Sequence, residues 1–274
     1  MNAPTPVGTV VCELGEGPVW DPATRSLLSV DLPAGRVLRD GRTVALTRAD
    51  VVTAVLPGRS GLLLVRRDRL ETVDGEVVAH LDLGRAERCN DAATDPWGRV
   101  WIGTMHRTEP GTGRLFCVDR GTVRTVLEGL SISNGLGWSP AGDRMYLIDT
   151  PTRRVDVLPL DPVTHLPTGR RTYVDLSSCD GAPDGLAVDS AGRVWVASYG
   201  GGAVRGFDPA GRCVAELRLP VAIPTSVAFG GPALSTMYVT TSARPGPDGT
   251  THPDAGLLHA APASVPGLPT NLAE

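Results

Sequence analysis

The sequence predicts an all-β protein, a six-bladed β-propeller with a central metal-binding channel. Two observations predict the fold: one short pattern returns six times at intervals of about 40 residues, and no segment has the 3.6-residue periodicity of an amphipathic helix. Polar residues that occupy the same position in several of the repeats predict a metal-binding site. All 274 residues are expected to form one domain, with blades over about 10–260 and a frayed tail over about 262–274.

The repeated unit contains a β-rich run that follows a turn. Glycine supplies a positive φ in these turns, and proline fixes the first turn residue. Further alternating runs between the copies give about four strands per repeat, and six four-stranded sheets around a channel form a propeller. The six copies of the run lie at residues 26–30, 61–65, 99–103, 144–148, 193–197 and 236–240.

Composition and charge exclude several classes of partner. The net charge is −4 and the arginines are scattered, so the chain lacks the basic stripe that binds nucleic acid. The first residues show no signal-peptide pattern and no apolar stretch is long enough to span a bilayer, so we expect a cytoplasmic protein with no membrane partner. No obligate protein partner is indicated. The five cysteines have no CxxC spacing, which argues against a disulfide framework and a thiolate zinc site.

Each repeat also has a first part, which carries a polar residue five positions before the turn. Equivalent positions of a radial repeat point toward the same axis, so these residues are expected to form a ring of oxygen atoms at one mouth of the channel. The second repeat, at residues 51–53, has no acidic or amide side chain there. The polar residues in this register are Glu16, Asn90, Asn134, Asp184 and Thr225.

The chemistry of this ring predicts one divalent metal ion. Carboxylates that converge near an apolar axis repel one another unless a cation lies between them. Oxygen-only ligation by Glu16, Asn134 and Asp184 favours Ca²⁺, Mg²⁺ or Mn²⁺, and three protein ligands with open positions also accept Zn²⁺. Each residue beside its glycine is ordinary turn chemistry when taken alone. The shared register within a repeat favours the metal site.

Seven segments, in order along the chain, match one known family: residues 14–20, 88–91, 103–105, 132–136, 183–189, 199–202 and 225–231. On these segments the sequence resembles the senescence marker protein, gluconolactonase and luciferin-regenerating enzyme family of metal-dependent six-bladed propellers. The resemblance implies that Glu16, Asn134 and Asp184 bind the metal and that Asp184 is also the general base. It implies that Arg88 and Asn90 hold substrate oxygens, and that the reaction is hydrolysis of a sugar lactone such as an aldonolactone.

Lactone hydrolysis suits such a ring. A metal that polarises the lactone carbonyl stabilises the oxyanion. Asp184 can take a proton from the attacking water and return it to the leaving ring oxygen. Arg88 offers a planar fork of donors for hydroxyl or carboxylate groups. It stands two residues before Asn90, so both side chains face the same side of a strand.

Two departures from the family pattern concern the substrate. Many members have glycine where this chain has Ala92. In the loop after Met105, Thr108 stands where some relatives have an acidic substrate contact, so either Glu109 replaces that contact or the contact is absent. His106 and Arg107 make this loop basic, which indicates an acidic or phosphorylated substrate.

Three functions remain open at this point. The first is a metal-dependent lactonase. The second uses the same metal site for another reaction, such as organophosphate or ester hydrolysis or a biosynthetic ring-opening or ring-forming step. The third is a non-catalytic binding platform, which is disfavoured because a scaffold has no need of a polar ring in its channel.

Overall fold

The computed structural model describes residues 3–46 and 50–274. These residues form 24 strands. The first twelve are β1 (Thr5–Val7), β2 (Gly15–Asp21), β3 (Ser26–Asp31), β4 (Arg36–Arg39), β5 (Arg42–Leu46), β6 (Ala54–Gly58), β7 (Gly61–Val65), β8 (Arg69–Thr72), β9 (Val77–His80), β10 (Glu87–Thr94), β11 (Val100–His106) and β12 (Gly113–Asp119). The others are β13 (Thr122–Leu130), β14 (Ser133–Trp138), β15 (Arg144–Asp149), β16 (Arg154–Pro159), β17 (Arg171–Asp175), β18 (Ala182–Val188), β19 (Val194–Tyr199), β20 (Ala203–Phe207), β21 (Cys213–Arg218), β22 (Pro224–Gly230), β23 (Thr236–Thr241) and β24 (Leu258–Pro262).

The strands form six four-stranded antiparallel sheets, the blades of a β-propeller. Blades 1 to 5 each use four consecutive strands, beginning at β2, β6, β10, β14 and β18. Blade 6 joins β22, β23 and β24 to the N-terminal strand β1, in which Thr5 pairs with Ala260. Within the described residues, the only helical segment is the 3-10 turn Thr150–Thr152. The predicted all-β, six-bladed fold is confirmed.

The first strand of each blade faces the channel, and these strands contact one another in a closed ring. The β-rich runs of the repeat are the second strands, and those of blades 1, 4 and 5 are almost entirely buried between neighbouring blades. A short apolar run bounded by turns is typical of such a strand. No helix among residues 3–46 and 50–274 is both long and apolar enough to cross a membrane.

The turn between the first two strands is held by an acidic side chain in several blades. The carboxylate of Asp95 accepts hydrogen bonds from two backbone amides of its own turn and, at 2.9 Å, from Nε1 of Trp101. Asp189 repeats this arrangement with Trp195 at 3.0 Å. The conserved geometry of these turns fixes where each second strand begins, so the repeated turn residues are structural.

The C-terminal segment, residues 267–274, does not fray as the sequence indicated. It crosses the end of the channel at which the first strands end, and it donates hydrogen bonds to backbone carbonyls of blades 1, 2, 3 and 6, including Gly267 N to Leu234 O at 2.8 Å. Ala273 is buried in the core. Further donor and acceptor pairs are Thr270 Oγ1 to Trp20 O (2.8 Å), Asn271 Nδ2 to Thr94 O (2.9 Å), Ala273 N to Pro57 O (3.0 Å) and Glu274 N to Gly98 O (3.0 Å).

Candidate metal centre

The first strands of five blades carry a β-bulge at the mouth opposite the C-terminal segment. A bulge bends a strand and re-aims its side chains. The inner strand of blade 2, β6, pairs without a shift, and it is the one whose repeat lacks the polar residue. The shifts in pairing lie between Glu16 and Val19, Cys89 and Asp91, Asn134 and Leu136, Pro183 and Leu186, and Pro224 and Ser226.

Two glycines allow the inner strands of blades 4, 5 and 6 to approach closely at this mouth. Gly135 has a φ of 24°, and a Cβ there would lie 2.8 Å from the backbone oxygen of Asp184. A Cβ on Gly185 would lie 2.4 Å from Cβ of Ser226. Neither position has room for a methyl group, which explains why glycine follows Asn134 and Asp184.

Asn134 and Asp184 are in direct contact. Nδ2 of Asn134 donates to Oδ1 of Asp184 at 2.5 Å and to Oγ1 of Thr150 at 3.1 Å. Thr150 in turn donates to the backbone oxygen of Pro183 at 2.9 Å. Because both hydrogen bonds use the amide nitrogen, Oδ1 of Asn134 remains available to a cation. The opposite amide orientation would set this oxygen against a carboxylate oxygen.

Three carboxyl groups lie close enough together at this mouth for charge on one to shift the pKa of another. Burial, followed by repulsion from Asp184 and Asp91, raises the pKa of Glu16 well above its ordinary value. Burial and repulsion from Asp91 raise the pKa of Asp184, against the hydrogen bond from Asn134. Burial raises the pKa of Asp91 to about 6. The only basic group among the main influences on Glu16 is Arg88, and its effect is the smallest of them.

Asp91 is a site residue that the register count did not select. The bulge in β10 lies at Asn90, so the next residue takes part in the group of carboxyls. Oδ1 of Asp91 accepts from the backbone nitrogen of Ala92 at 2.8 Å, and Nδ2 of Asn90 donates to Ser133 O at 3.0 Å. The available signal was the pair Asn90-Asp91 at a position where other repeats have a polar residue followed by glycine.

Thr225 is not a member of the ring, contrary to the register count. Its side chain is fully buried, and its hydroxyl contacts the backbone oxygen of Gly15 and, at 2.9 Å, Oγ1 of Thr240. The bond to Gly15 joins blade 6 to blade 1, and the bond to Thr240 lies within blade 6. Because the hydroxyl is already satisfied within the protein, Thr225 is a structural residue.

The two predicted substrate residues beyond the ring differ in position. Arg88 is half-buried, lies within electrostatic reach of Glu16 and donates from Nη1 to Cys89 O at 2.8 Å. Glu109 lies in an exposed turn in which His106 Nδ1 accepts from the backbone nitrogens of Thr108 at 3.3 Å and Glu109 at 2.9 Å. Within the described chain, no contact joins the Glu109 carboxylate to the ring.

The donor set of this mouth fits a hard divalent cation. Two clustered carboxylates with raised pKa values and a free amide oxygen are ligands that Ca²⁺, Mg²⁺ and Mn²⁺ prefer, and a cation would relieve their repulsion. No group of three or more His, Cys, Asp and Glu side chains in residues 3–46 and 50–274 is arranged as a ligand set. An ion here would therefore depend on the amide of Asn134 as well as on Glu16 and Asp184.

The metal-free protein is expected to lose stability as the pH rises. The pKa of Asp91 is raised from 3.8 to about 6, so the folded state holds a proton that the unfolded state has lost. This contribution is present below about pH 4 and is lost as the pH rises through about 6. The raised pKa values of Glu16 and Asp184 act in the same direction. Thermal unfolding in chelator between about pH 5 and about pH 8 measures the loss.

Two comparisons control this experiment. Saturating Ca²⁺ should remove the fall, because a bound cation favours the ionised carboxylates. Asp184→Asn should make it shallower, because one of the interacting charges is gone. A metal-free melting temperature with the same pH dependence in both proteins would show that the carboxyls do not form one interacting group.

The fold and the site together define the class of this protein: it is a β-propeller protein with carboxyl and amide groups clustered at one mouth of its central channel. Residues 14–243 match the SMP-30/Gluconolactonase/LRE-like region, and the chain belongs to that family.

Named relatives of this chain include lactone-hydrolysing enzymes. The chain is 37% identical over 278 residues to pentonolactonase XacC of Haloferax volcanii, with 94% of each chain covered. It is 34% identical over 269 residues to 6-deoxy-6-sulfogluconolactonase of Pseudomonas putida, which covers 93% of this chain and 92% of that protein. The solved structure of the calcium-binding protein regucalcin from Agrobacterium tumefaciens has a TM-score of 0.86 at 30% identity, covering 97% of this chain and 95% of that one.

Proposed function

We propose that the protein is a metal-dependent lactonase that opens a sugar lactone. The observation that carries the proposal is the contact between Asn134 and Asp184 beside Glu16, at the one mouth where the inner strands are bulged. Family membership and the lactonases among its relatives support the reaction class. Pentonolactones and substituted gluconolactones, which the names of two relatives describe, are therefore the candidate substrates.

Glu16, Asn134 and Asp184 are the residues that would hold the metal. When bound, a divalent cation supplies Lewis acidity for the lactone carbonyl and charge to offset the developing oxyanion. Ca²⁺ is favoured by the oxygen donors and by the calcium-binding regucalcin among the structural neighbours. Mg²⁺, Mn²⁺ and Zn²⁺ remain candidates.

Asp184 is the proposed general base. Its Oδ1 is fixed by Asn134, so Oδ2 is presented in a single orientation and can accept a proton from water. The water oxygen forms a bond to the carbonyl carbon, and the bond from that carbon to the ring oxygen breaks. The same proton then moves from Asp184 to the departing ring oxygen, which leaves an open-chain hydroxy acid.

Arg88 and Asn90 are the proposed substrate contacts beside the base. Arg88 keeps Nε and Nη2 for substrate oxygens after its bond to Cys89, and Asn90 keeps Oδ1 after its bond to Ser133. Glu109 is proposed to contact a substrate hydroxyl from the exposed turn. Because Glu109 lies apart from the ring contacts, a change there should affect binding of the substrate more than the rate of ring opening.

A panel of five- and six-membered sugar lactones tests the reaction. The purified protein, loaded separately with Ca²⁺, Mg²⁺, Mn²⁺ or Zn²⁺, is expected to hydrolyse at least one of them, and acid release is followed by pH indicator. If every lactone is inert with every metal while Asp184→Asn abolishes the turnover of an ester or organophosphate, the site performs the other reaction and the lactonase proposal is wrong.

A further inference from the structure

Blade 3 presents two arginines on one face at the mouth of the channel. In the β10–β11 ladder Arg88 is paired with Met105, and the ladder continues past β11 because the backbone nitrogen of Arg107 donates to Ala86 O at 3.2 Å. Two residues paired across a ladder point to the same face of the sheet, and so do residues two positions apart along one strand. Arg88 and Arg107 are therefore diagonal neighbours, a relation that places side-chain origins about 7–8 Å apart.

Neither guanidinium group on this face is in contact with a carboxylate of the described residues, although the charge of Glu16 acts on Arg88 from farther away. Arg88 gives its one side-chain hydrogen bond to a backbone oxygen, and neither Arg88 nor Arg107 forms an ion pair with any described residue. The other face of the same blade differs. There the buried Glu87 binds Arg114 at 2.7 Å and Thr104 at 2.7 Å, so its charge is balanced.

A third arginine approaches from blade 6. Arg244 follows β23 and pairs with Glu13 at 3.0 Å. Burial is the main cause that lowers the pKa of Arg88, the nearby Glu16 opposes it, and Arg107 and Arg244 add smaller repulsions that lower it further. Glu13 offsets the charge of Arg244 and Glu16 acts on Arg88, whereas the exposed Glu109 is the acidic residue of the loop that carries Arg107. Arg107, which forms no ion pair with a described residue, therefore adds positive charge beside Arg88.

We propose that the preferred substrate is a sugar lactone that carries an anionic group, which Arg88 and Arg107 bind. This inference rests on the proposed lactonase function and specifies its substrate. A guanidinium fork binds a carboxylate, sulfonate or phosphate through paired hydrogen bonds. The carboxyls of Glu16, Asp91 and Asp184 repel an anion, so the anionic group lies toward the arginines and the lactone carbonyl toward the ring.

Turnover of matched lactones tests the substrate class. Glucono-1,5-lactone is compared with its 6-phospho and 6-sulfo counterparts, and kcat/KM is expected to favour a charged lactone by about tenfold at low salt. The preference should shrink as ionic strength rises, because salt screens exposed charges. Arg107→Ala should reduce the ratio of charged to neutral kcat/KM by about tenfold, whereas Arg107→Lys should retain part of it.

The control variant is Arg124→Ala, which removes an exposed arginine from β13, the outermost strand of the same blade. It should leave the ratio unchanged. An equal loss of the ratio in Arg124→Ala and Arg107→Ala would show that net charge, rather than a site at the mouth, sets the preference, and would overturn the inference.

Binding of the open-chain acids separates this inference from the proposed reaction. Calorimetry compares gluconate with 6-phosphogluconate, and the phosphorylated acid is expected to bind about tenfold more tightly in a manner that depends on Arg107. If no lactone is hydrolysed but this difference is found, the proposed reaction fails and the anion site stands. If lactones are hydrolysed with no charge preference and the two acids do not differ, the lactonase stands and the inference is wrong. No preference in either measurement also overturns the inference.

Discussion

Asp184→Asn is expected to lower kcat for lactone hydrolysis by about 10²- to 10⁴-fold, the usual contribution of a positioned general base. Asparagine has nearly the same shape and removes a buried charge, so the fold should be retained. The amide cannot accept the proton of the attacking water, and it carries no charge to hold a cation. The measurement is kcat at saturating metal and lactone, with thermal unfolding to confirm the fold.

A matched control for this variant is Asp119→Asn, which changes an exposed carboxylate at the end of β12. It should leave kcat unchanged. If Asp184→Asn kept kcat within about threefold of the unmodified protein, that loss would be far below the effect of a general base, and the proposed role would be wrong.

Deletion of residues 267–274 is expected to reduce the free energy of unfolding by about 3–5 kcal/mol. The segment makes at least four hydrogen bonds to blades 1, 2 and 3, and each contributes about 1 kcal/mol on average. Ala273 also buries its side chain. Residues 268–271 line a cavity of 380 Å³ along the channel, so their loss opens it to water. Urea unfolding of the two proteins measures the difference.

The control for this deletion is removal of Glu274 alone, which leaves the bonds of Thr270, Asn271 and Ala273 in place. This removal should reduce the free energy of unfolding by about 1 kcal/mol at most. If the protein without residues 267–274 had a free energy of unfolding within about 1 kcal/mol of that of the intact protein, the segment would contribute little to stability, as a frayed tail would. Retained lactone hydrolysis in the truncated protein is compatible with this account, because the deletion lies at the other end of the channel.

The blade architecture was predictable because every repeat carries the same local signals. Local sequence is enough to specify a turn and the apolar strand that follows it, as at the turns formed by residues 95–98 and 189–192. The closure of blade 6 by β1 was not predictable from those signals. The residues of β1, Thr5–Val7, lie outside the repeat and are mostly exposed, and their pairing with β24 is made by backbone groups.

The C-terminal segment was missed for a similar reason. Residues 267–274 have few large apolar side chains, which made them resemble a frayed tail. Their attachment to the blades uses backbone amides, Thr270 and Asn271, each of which bonds to a carbonyl far away in the sequence. Side-chain patterning carries little information about such contacts.

The ring was only partly predictable because its bulges lie at different residues. In β14 the unpaired residue is the glycine after Asn134, whereas in β10 and β22 it is Asn90 and Thr225 themselves. A count of five residues treats these strands as equivalent. It therefore brought Asn134 and Asp184 together correctly in space, but it included Thr225 and omitted Asp91.

The central claim is that one divalent cation at Glu16, Asn134 and Asp184 is required for lactone hydrolysis. The most direct measurement strips the protein with chelator, titrates Ca²⁺, Mn²⁺ or Zn²⁺ back in, and follows metal content and lactone hydrolysis together. The account predicts one ion per chain, loss of turnover on stripping and recovery in proportion to bound metal, with Glu16→Gln and Asn134→Ala both weakening the affinity. Undiminished hydrolysis by the metal-free protein would contradict it.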